Sequence, residues 1–222
     1  LSIVDCVTSL GACNVPVDEW ELDIVASGSQ KGYMIPPGLS FIAMSQKAWE
    51  AAEKSNLPKF YLNLKSYRKS LLTNSNPYTP AVNLVFALDE ALKMMREEGL
   101  DNIFQRHNKH KLAMSNAVKA LNLKLFADEK YLSPSITAIK TEGIDAEEFR
   151  KTIKNNFDIL LAGGQDHLKG KIFRVGHLGY VNDRDIITVV SAMSNTLLKL
   201  GKISAQQAGE ALVMASKYLK GN

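Results

Sequence analysis

A lysine stands at the end of a glycine- and serine-rich turn in the segment Ser27-Gly28-Ser29-Gln30-Lys31-Gly32. Small residues let a backbone come close to a ligand, and the hydroxyls and amides of such a turn can hold an anion. A lysine amine placed there can act as a Schiff-base nucleophile, provided its surroundings lower its pKa. Taken alone, the segment also fits a surface lysine on a turn. Asp5, 26 positions earlier, closes the apolar run Ser2-Ile3-Val4. A carboxylate after such a run is costly without a partner. In open α/β sheets, ligands bind outside the C-terminal ends of the strands. The competing role for Asp5 is a buried cap or turn former. A strand-end acid and a strand-end lysine on neighbouring strands could face the two ends of one cofactor.

Pyridoxal phosphate needs that pair: a lysine to hold its aldehyde and an acid against its pyridinium nitrogen, so that the ring serves as an electron sink.

The elements that must position these residues follow from hydrophobic spacing. Residues 2–7 predict a short strand buried on both faces, of the kind found in parallel sheets. Residues 22–26 and 39–44 predict two more strands, with Gly-, Ser- and Pro-rich turns between them. Residues 46–53 predict a helix capped by Ser45, and 59–73 a second helix. Thr79-Pro80 predicts the start of a long helix, with threonine at the cap and proline in the first position. Val82, Val85, Phe86, Leu88, Leu92 and Met95 recur there at helical spacing, and Gly99 ends it. A further helix is predicted over 101–121. Beyond about residue 123 the pattern alternates: strands over 135–139, 158–162 and 171–175, and helices over 145–157, 184–200 and 204–217. The fold class is therefore α/β: the C-terminal part of a mainly parallel sheet, then a small α+β domain. The expected boundary lies near 110–125, giving domains 1–115 and 116–222.

Four further observations extend the motif set. Asp5-Cys6-Val7, Ser27-Gly28-Ser29-Gln30-Lys31 with Pro36-Pro37-Gly38, Tyr78-Thr79-Pro80 before a long helix, and Gly170-Lys171-Ile172-Phe173-Arg174-Val175-Gly176-His177-Leu178-Gly179 follow in order along nearly the whole chain. Together they resemble the fold-type I, class V pyridoxal-phosphate aminotransferases, in the alanine–glyoxylate, serine–glyoxylate and serine–pyruvate branch. The resemblance implies that Lys31 forms the Schiff base and carries the proton to and from the substrate Cα. Asp5 would pair with the pyridinium nitrogen, Val7 would pack on the ring and Gln30 would bond at or near the phosphate. Thr79, with Tyr78 or Asn76, would reach the phosphate of the partner subunit, since these enzymes are homodimers with shared sites. Arg174 would clamp the substrate carboxylate with a bidentate fork that lysine cannot reproduce. Gly163-Gly164 would shape a loop near that arginine, or form a simple turn. The donor would be a small amino acid such as alanine or serine, and the acceptor a 2-oxo acid such as glyoxylate or pyruvate. Each residue also has a plainer role: Thr79 as a helix cap, Arg174 as a surface ion-pair residue, His177 as a structural histidine.

The resemblance also implies that a glycine-rich phosphate-binding turn, the residue stacked on the ring and much of the central sheet belong to a part of the protomer preceding Leu1. On that expectation the 222-residue chain alone binds the cofactor weakly and turns over poorly.

Other classes are weighed by residue type. Cysteine desulfurases resemble this fold but place histidine before the lysine, where this sequence has Gln30, and neither Cys6 nor Cys13 lies in a suitable loop. Phosphoserine and aspartate aminotransferase readings stay open. Some cyanobacterial members of the branch carry the name of a soluble hydrogenase small subunit, and Asp5-Cys6-Val7-Thr8-Ser9-Leu10-Gly11 resembles those too. Hydrogenase chemistry would need nickel–iron thiolates or iron–sulfur clusters, commonly with four cysteines, and the chain has two. A non-catalytic subunit is thus the alternative class.

The composition agrees with a globular protein: 45% hydrophobic and 23% charged over 222 residues. Its 27 basic and 23 acidic residues leave +4, scattered without the basic stripe of nucleic-acid binders. No apolar run is long enough to span a membrane. Cys6 and Cys13 match no zinc spacing and no redox pair, so no metal is expected and reduced thiols in the cytoplasm are.

Overall fold

The computed structural model describes residues 1–220. By its packing the chain divides into two compact units, one of residues 1–10 with 15–97, the other of residues 11–14 with those from Glu98 onward. The 115/116 boundary expected from sequence falls within a helix that belongs as a whole to the second unit.

The first unit is built on a three-stranded sheet of β1 (Ile3–Asp5), β2 (Ile24–Gly28) and β3 (Ser40–Met44), in that order. β1 and β2 run parallel, with Asp5 opposite Ala26, and β3 pairs antiparallel to β2. Loop length explains the difference. Residues 6–23 suffice for a parallel crossover, whereas residues 29–39 fall short of the dozen or so that one requires. This end of the sheet thus holds one pairing of each kind. β1 is shorter than its apolar run, and among the described residues it stands at one end of the sheet with Ile3 75% exposed. The buried strand is β2, with Val25 at 2% exposure.

A single carboxylate fastens the start of this sheet. Buried Asp23 accepts the Ser2 N–H at 2.8 Å and the Ser45 hydroxyl at 2.9 Å, while its own N–H donates to Ser2 Oγ at 2.8 Å. The Ser2 N–H and then the Ser45 hydroxyl hold this carboxyl below its usual range. Ser45 in turn accepts the Ala48 N–H at 3.1 Å and caps α1 (Gln46–Lys54), as its residue type predicts.

α2 (Leu64–Leu71) is narrower than expected and is capped by Asn63. α3 (Val82–Glu98) starts later than Thr79-Pro80 predicts. Its first helical turn is closed by the Val85 N–H donating to the Ala81 carbonyl at 3.1 Å, so Ala81 and not Thr79 stands at the cap. The apolar stripe of α3 divides: Ala91 and Met95 are buried, whereas Val82, Val85 and Phe86 are exposed. Gly38 has φ +141°, and a Cβ there would stand 2.5 Å from Leu84 Cδ1, so only glycine fits this approach of the loop to α3.

Gly99, at φ +83°, separates α3 from α4 (Leu100–Ala120). A four-stranded antiparallel sheet follows, in the order β4 (Lys124–Leu125), β5 (Ile136–Lys140), β7 (Ile172–Gly176) and β6 (Ala162–Gly163). α5 (Ala146–Phe157) is capped by Asp145, and capping boxes open α6 (Asp183–Lys199) and α7 (Ala205–Leu219). Strand alternation turns Ile139, Phe173 and Val175 to one face, where they join Met114, Val118, Phe149, Met193 and Leu197 in one core. Each such side chain contributes about 1.5–3 kcal/mol by leaving water. Ala113, Ala117, Ala211 and Ala215, all fully buried, let α4 and α7 pack closely.

Candidate active site

The parallel pairing of β1 with β2 brings their C-terminal ends side by side. The Cys6 N–H donates to the Ala26 carbonyl at 2.8 Å, which extends the ladder one residue past Asp5. Asp5 is exposed, and its Oδ1 accepts the Val7 N–H at 2.8 Å. Its Oδ2 has no donor among the described residues. Val7 and Gln30 converge on Gly28: a Cβ at that glycine would stand 3.1 Å from Gln30 Oε1 and 3.8 Å from Val7 Cγ1. Lys31 lies three residues beyond β2 and is half-buried. Among the described residues its amine has neither a hydrogen bond nor an ion pair. Asp5, Val7, Gln30 and the lysine turn are thus gathered at one end of a parallel strand pair.

The turn is rigid for a reason that its residue types alone did not disclose. Fully buried Ser29 donates its hydroxyl to the Pro36 carbonyl at 2.8 Å and accepts the Leu39 N–H at 3.1 Å. Its N–H donates to the Leu39 carbonyl at 3.0 Å. Ser27 donates its hydroxyl to the Cys6 carbonyl at 3.3 Å. The serine hydroxyls expected to hold an anion are therefore engaged by the protein's own backbone, as is the Ser29 amide, whereas the Gln30, Lys31 and Gly32 amides have no acceptor among the described residues. Tyr33 was not singled out by sequence. It packs against Phe41 with ring centroids 4.7 Å apart and the rings tilted by 54°, and burial pushes its phenol pKa up, against the Ser27 hydroxyl. An aromatic two places after the lysine was the available signal.

Tyr78 is surrounded by Tyr61, Phe60 and Tyr67, with ring centroids at 4.8, 5.8 and 6.2 Å. Its hydroxyl donates to the Phe60 carbonyl at 3.1 Å. Thr79 follows it in the exposed segment ahead of α3. No hydrogen bond among the described residues links Tyr78 or Thr79 to Asp5, Gln30 or Lys31.

In the second unit Arg174 occupies the middle of β7, on the face opposite Phe173 and Val175. Its cross-strand neighbours are Ala138 and Ala162. Its Nε donates to the Gly163 carbonyl at 2.9 Å, which orients the guanidinium plane. Its two terminal nitrogens have no acceptor among the described residues, which leaves the paired donors that match a carboxylate. Gly163 belongs to β6 and not to a simple turn. A Cβ on it would meet Arg150 Nη1 at 2.5 Å and Glu147 Oε1 at 2.8 Å, and one on Gly164 would collide with the Leu168 carbonyl.

A polar seam near β7 was invisible at the level of motifs. Arg106 on α4 grips Glu98 through Nε at 2.6 Å and Nη2 at 2.9 Å. Its Nη1 donates to the carbonyls of Gly179 at 2.9 Å and Val181 at 3.1 Å. His107 donates from Nδ1 to the Ile103 carbonyl at 2.8 Å and accepts the Gly179 N–H on Nε2 at 3.1 Å. Asp183 takes Lys109 and His110, each at 2.9 Å. His177 faces the Thr137 hydroxyl at 2.9 Å. Burial is the first cause that lowers the pKa of all three of these histidines, that of His177 to about 4.

No helix among the described residues is long and apolar enough to cross a membrane, and no group of three or more His, Cys, Asp and Glu among them is placed to hold a metal ion.

The family model described as aminotransferase class-V matches residues 1–186. A Synechococcus protein named soluble hydrogenase, small subunit, is 59% identical over 99% of this chain and 57% of its own length. The serine–glyoxylate aminotransferase of Methylorubrum extorquens is 36% identical over all of this chain and 56% of its own. Among solved structures, the ureidoglycine–glyoxylate aminotransferase of Bacillus subtilis superposes with a TM-score of 0.89 at 31% identity, over 97% of this chain and 57% of that one. The chain thus spans a little over half the length of the relatives it matches. Its strands, the lysine turn and the β7 arginine fall within residues 1–186, and on that match the chain belongs to the class V aminotransferase family.

Proposed function

We propose that the protein to which this chain belongs is a pyridoxal-phosphate-dependent aminotransferase. It would move the amino group of a small amino acid, alanine or serine, to a 2-oxo acid such as glyoxylate or pyruvate. The observation that carries this reading is the pairing of Asp5 with Ala26, which sets an exposed carboxylate beside the turn that presents the unpaired Lys31 amine. These residues fit the cofactor: an acid with a free oxygen suits a pyridinium nitrogen, and a primary amine suits an aldehyde. When bound, the cofactor supplies an electron sink for the bond to the substrate Cα. Lys31 Nζ would hold the cofactor's aldehyde and, once the substrate amine has displaced it there, would be the base that takes the proton from the substrate Cα and returns it. Asp5 Oδ2 would face the ring nitrogen and favour its protonated form, while Oδ1 stays on the Val7 N–H and fixes the carboxylate plane. Val7 packs against the ring, and Gln30 with the amides of the turn takes the phosphate. Tyr78 and Thr79 serve the phosphate of the partner subunit in a homodimer, and Arg174 clamps the substrate carboxylate. A cytoplasmic setting, the expectation from the spacing of Cys6 and Cys13, belongs to the same reading.

A panel of amino donors on the full-length protein tests the reading. Alanine or serine should convert the bound cofactor and remove its visible absorbance band, and glyoxylate or pyruvate should restore it. A cofactor-loaded protein that no amino acid converts would contradict it. The name carried by the Synechococcus relative favours a second reading, a subunit that serves a partner protein without catalysis of its own. Replacing Lys31 with Ala separates the two: an enzyme loses transamination, whereas a scaffold keeps its partner.

A further inference from the structure

We propose that Arg106 and His107, on α4, are positioning residues for Arg174, acting through the segment that leaves β7. The inference rests on the reading of Arg174 as the substrate-carboxylate clamp. From 177 to 183 every second residue is fastened. The His177 N–H donates to the Ser135 carbonyl at 3.0 Å, the last rung of the β5–β7 ladder. Gly179 is held at both backbone groups, its N–H by His107 Nε2 and its carbonyl by Arg106 Nη1. The Val181 carbonyl is held by Arg106 again, and the Asp183 carboxylate by Lys109 and His110. Gly179 adopts φ +78°, so the segment turns sharply where the two α4 side chains meet it. Both side chains are themselves locked, Arg106 by Glu98 and His107 by the Ile103 carbonyl. Helix α4 is therefore a rigid post, and the exit of β7 is tied to it.

The consequence for Arg174 is geometric. It stands two residues before Gly176, the last residue of β7. On the substrate side, a bidentate fork is directional and weakens steeply as its angles depart from linear. A displaced fork keeps only part of its hold on the carboxylate, a loss of binding that bears on KM. Freeing the 177–183 segment would let the strand end shift while leaving the cofactor residues of the first unit untouched.

The test is steady-state kinetics of the full-length, cofactor-loaded protein. Arg106→Gln should raise KM for the amino donor and the oxo acid by about tenfold with kcat within about twofold, the pattern for lost binding made equally in ground and transition states. The cofactor's absorbance band should not move. His107→Leu removes the acceptor for the Gly179 N–H and should do the same, whereas His107→Gln retains an acceptor oxygen and should restore KM, so the pair decides the matter if Arg106→Gln does not fold. Arg174→Lys is the reference. In the double variant with Arg174→Lys, Arg106→Gln should add nothing further. Arg174→Lys raising KM while Arg106→Gln and His107→Leu leave it unchanged would overturn this inference alone. Arg174→Lys leaving KM unchanged would overturn the reading of Arg174, and this inference with it. Fully additive KM losses would show that α4 acts by another route.

Discussion

Ser29 and Leu39 close the lysine turn on itself: the Ser29 N–H donates to the Leu39 carbonyl at 3.0 Å, and the Leu39 N–H donates back to Ser29 Oγ at 3.1 Å. The same hydroxyl donates to the Pro36 carbonyl, so one buried serine ties three points of the loop that presents Lys31. Ser29→Ala should leave the Leu39 N–H and the Pro36 carbonyl without this partner. The expected cost is about 1–3 kcal/mol, read as a lower denaturant midpoint, together with weaker cofactor retention. A variant as stable as the parent would show that the loop is held otherwise.

Asp5 has two duties that a single substitution can separate. Asparagine keeps an oxygen for the Val7 N–H, so Asp5→Asn should preserve the turn. It removes the negative charge proposed to face the ring nitrogen. A charge-assisted hydrogen bond contributes about 1.5–3 kcal/mol, so transamination should fall by at least about tenfold while thermal stability stays near that of the parent. Cofactor titration and initial rates measure both.

Acid should destabilise the second unit before it reaches the range where carboxylates protonate. His177 has its folded pKa lowered to about 4 by burial, whereas in the unfolded chain it titrates near the ordinary value of 6.5. The sign follows: protons bind the unfolded state more readily, so stability is full above about pH 6.5 and falls as pH drops toward 4. The gap corresponds to about 3 kcal/mol from this group, and His107 and His110, lowered by the same cause, act in the same direction. Thermal midpoints between pH 7 and 4.5 should decline, and His177→Gln should flatten the slope. Asp23, whose pKa is lowered, contributes stability that is lost only below the ordinary carboxylate range.

The two glycines beside Arg174 should rank in a fixed order. A Cβ on Gly163 meets the end of the Arg150 side chain, which can give way at the cost of its bond to the Leu161 carbonyl. A Cβ on Gly164 meets the Leu168 backbone carbonyl, which cannot. Gly164→Ala should therefore destabilise more than Gly163→Ala, each by about 1–3 kcal/mol. Gly163→Ala should also raise the KM of carboxylate substrates, because the crowding of its Cβ against Arg150 and Glu147 shifts the carbonyl that orients Arg174. Equal effects on stability would contradict this packing.

What the sequence made legible, and what it hid, divides by distance along the chain. Asp5 and Lys31 could be paired because each follows its own apolar strand, and strand ends collect ligands. Helix α1 announces itself through Ser45, the cap placed next to it. The Asp23 knot could not be read, since its partners Ser2 and Ser45 are 21 and 22 residues away. The hold of Arg106 on Gly179 spans 73 residues and depends on a backbone carbonyl, which carries no residue signature. Spacing alone placed Val82, Val85 and Phe86 on a helix but could not say that they stay exposed. Thr79 was misplaced as the cap because Thr-Pro is a common helix opening, whereas here the ladder begins from Ala81.

The central claim is that Lys31 carries the cofactor. Borohydride reduction of the full-length protein loaded with pyridoxal phosphate, followed by peptide mass mapping, addresses it directly. The account predicts one phosphopyridoxyl group per chain, on the peptide that contains Lys31, and none in Lys31→Ala. Labelling of a different lysine with Lys31 unmodified would contradict it.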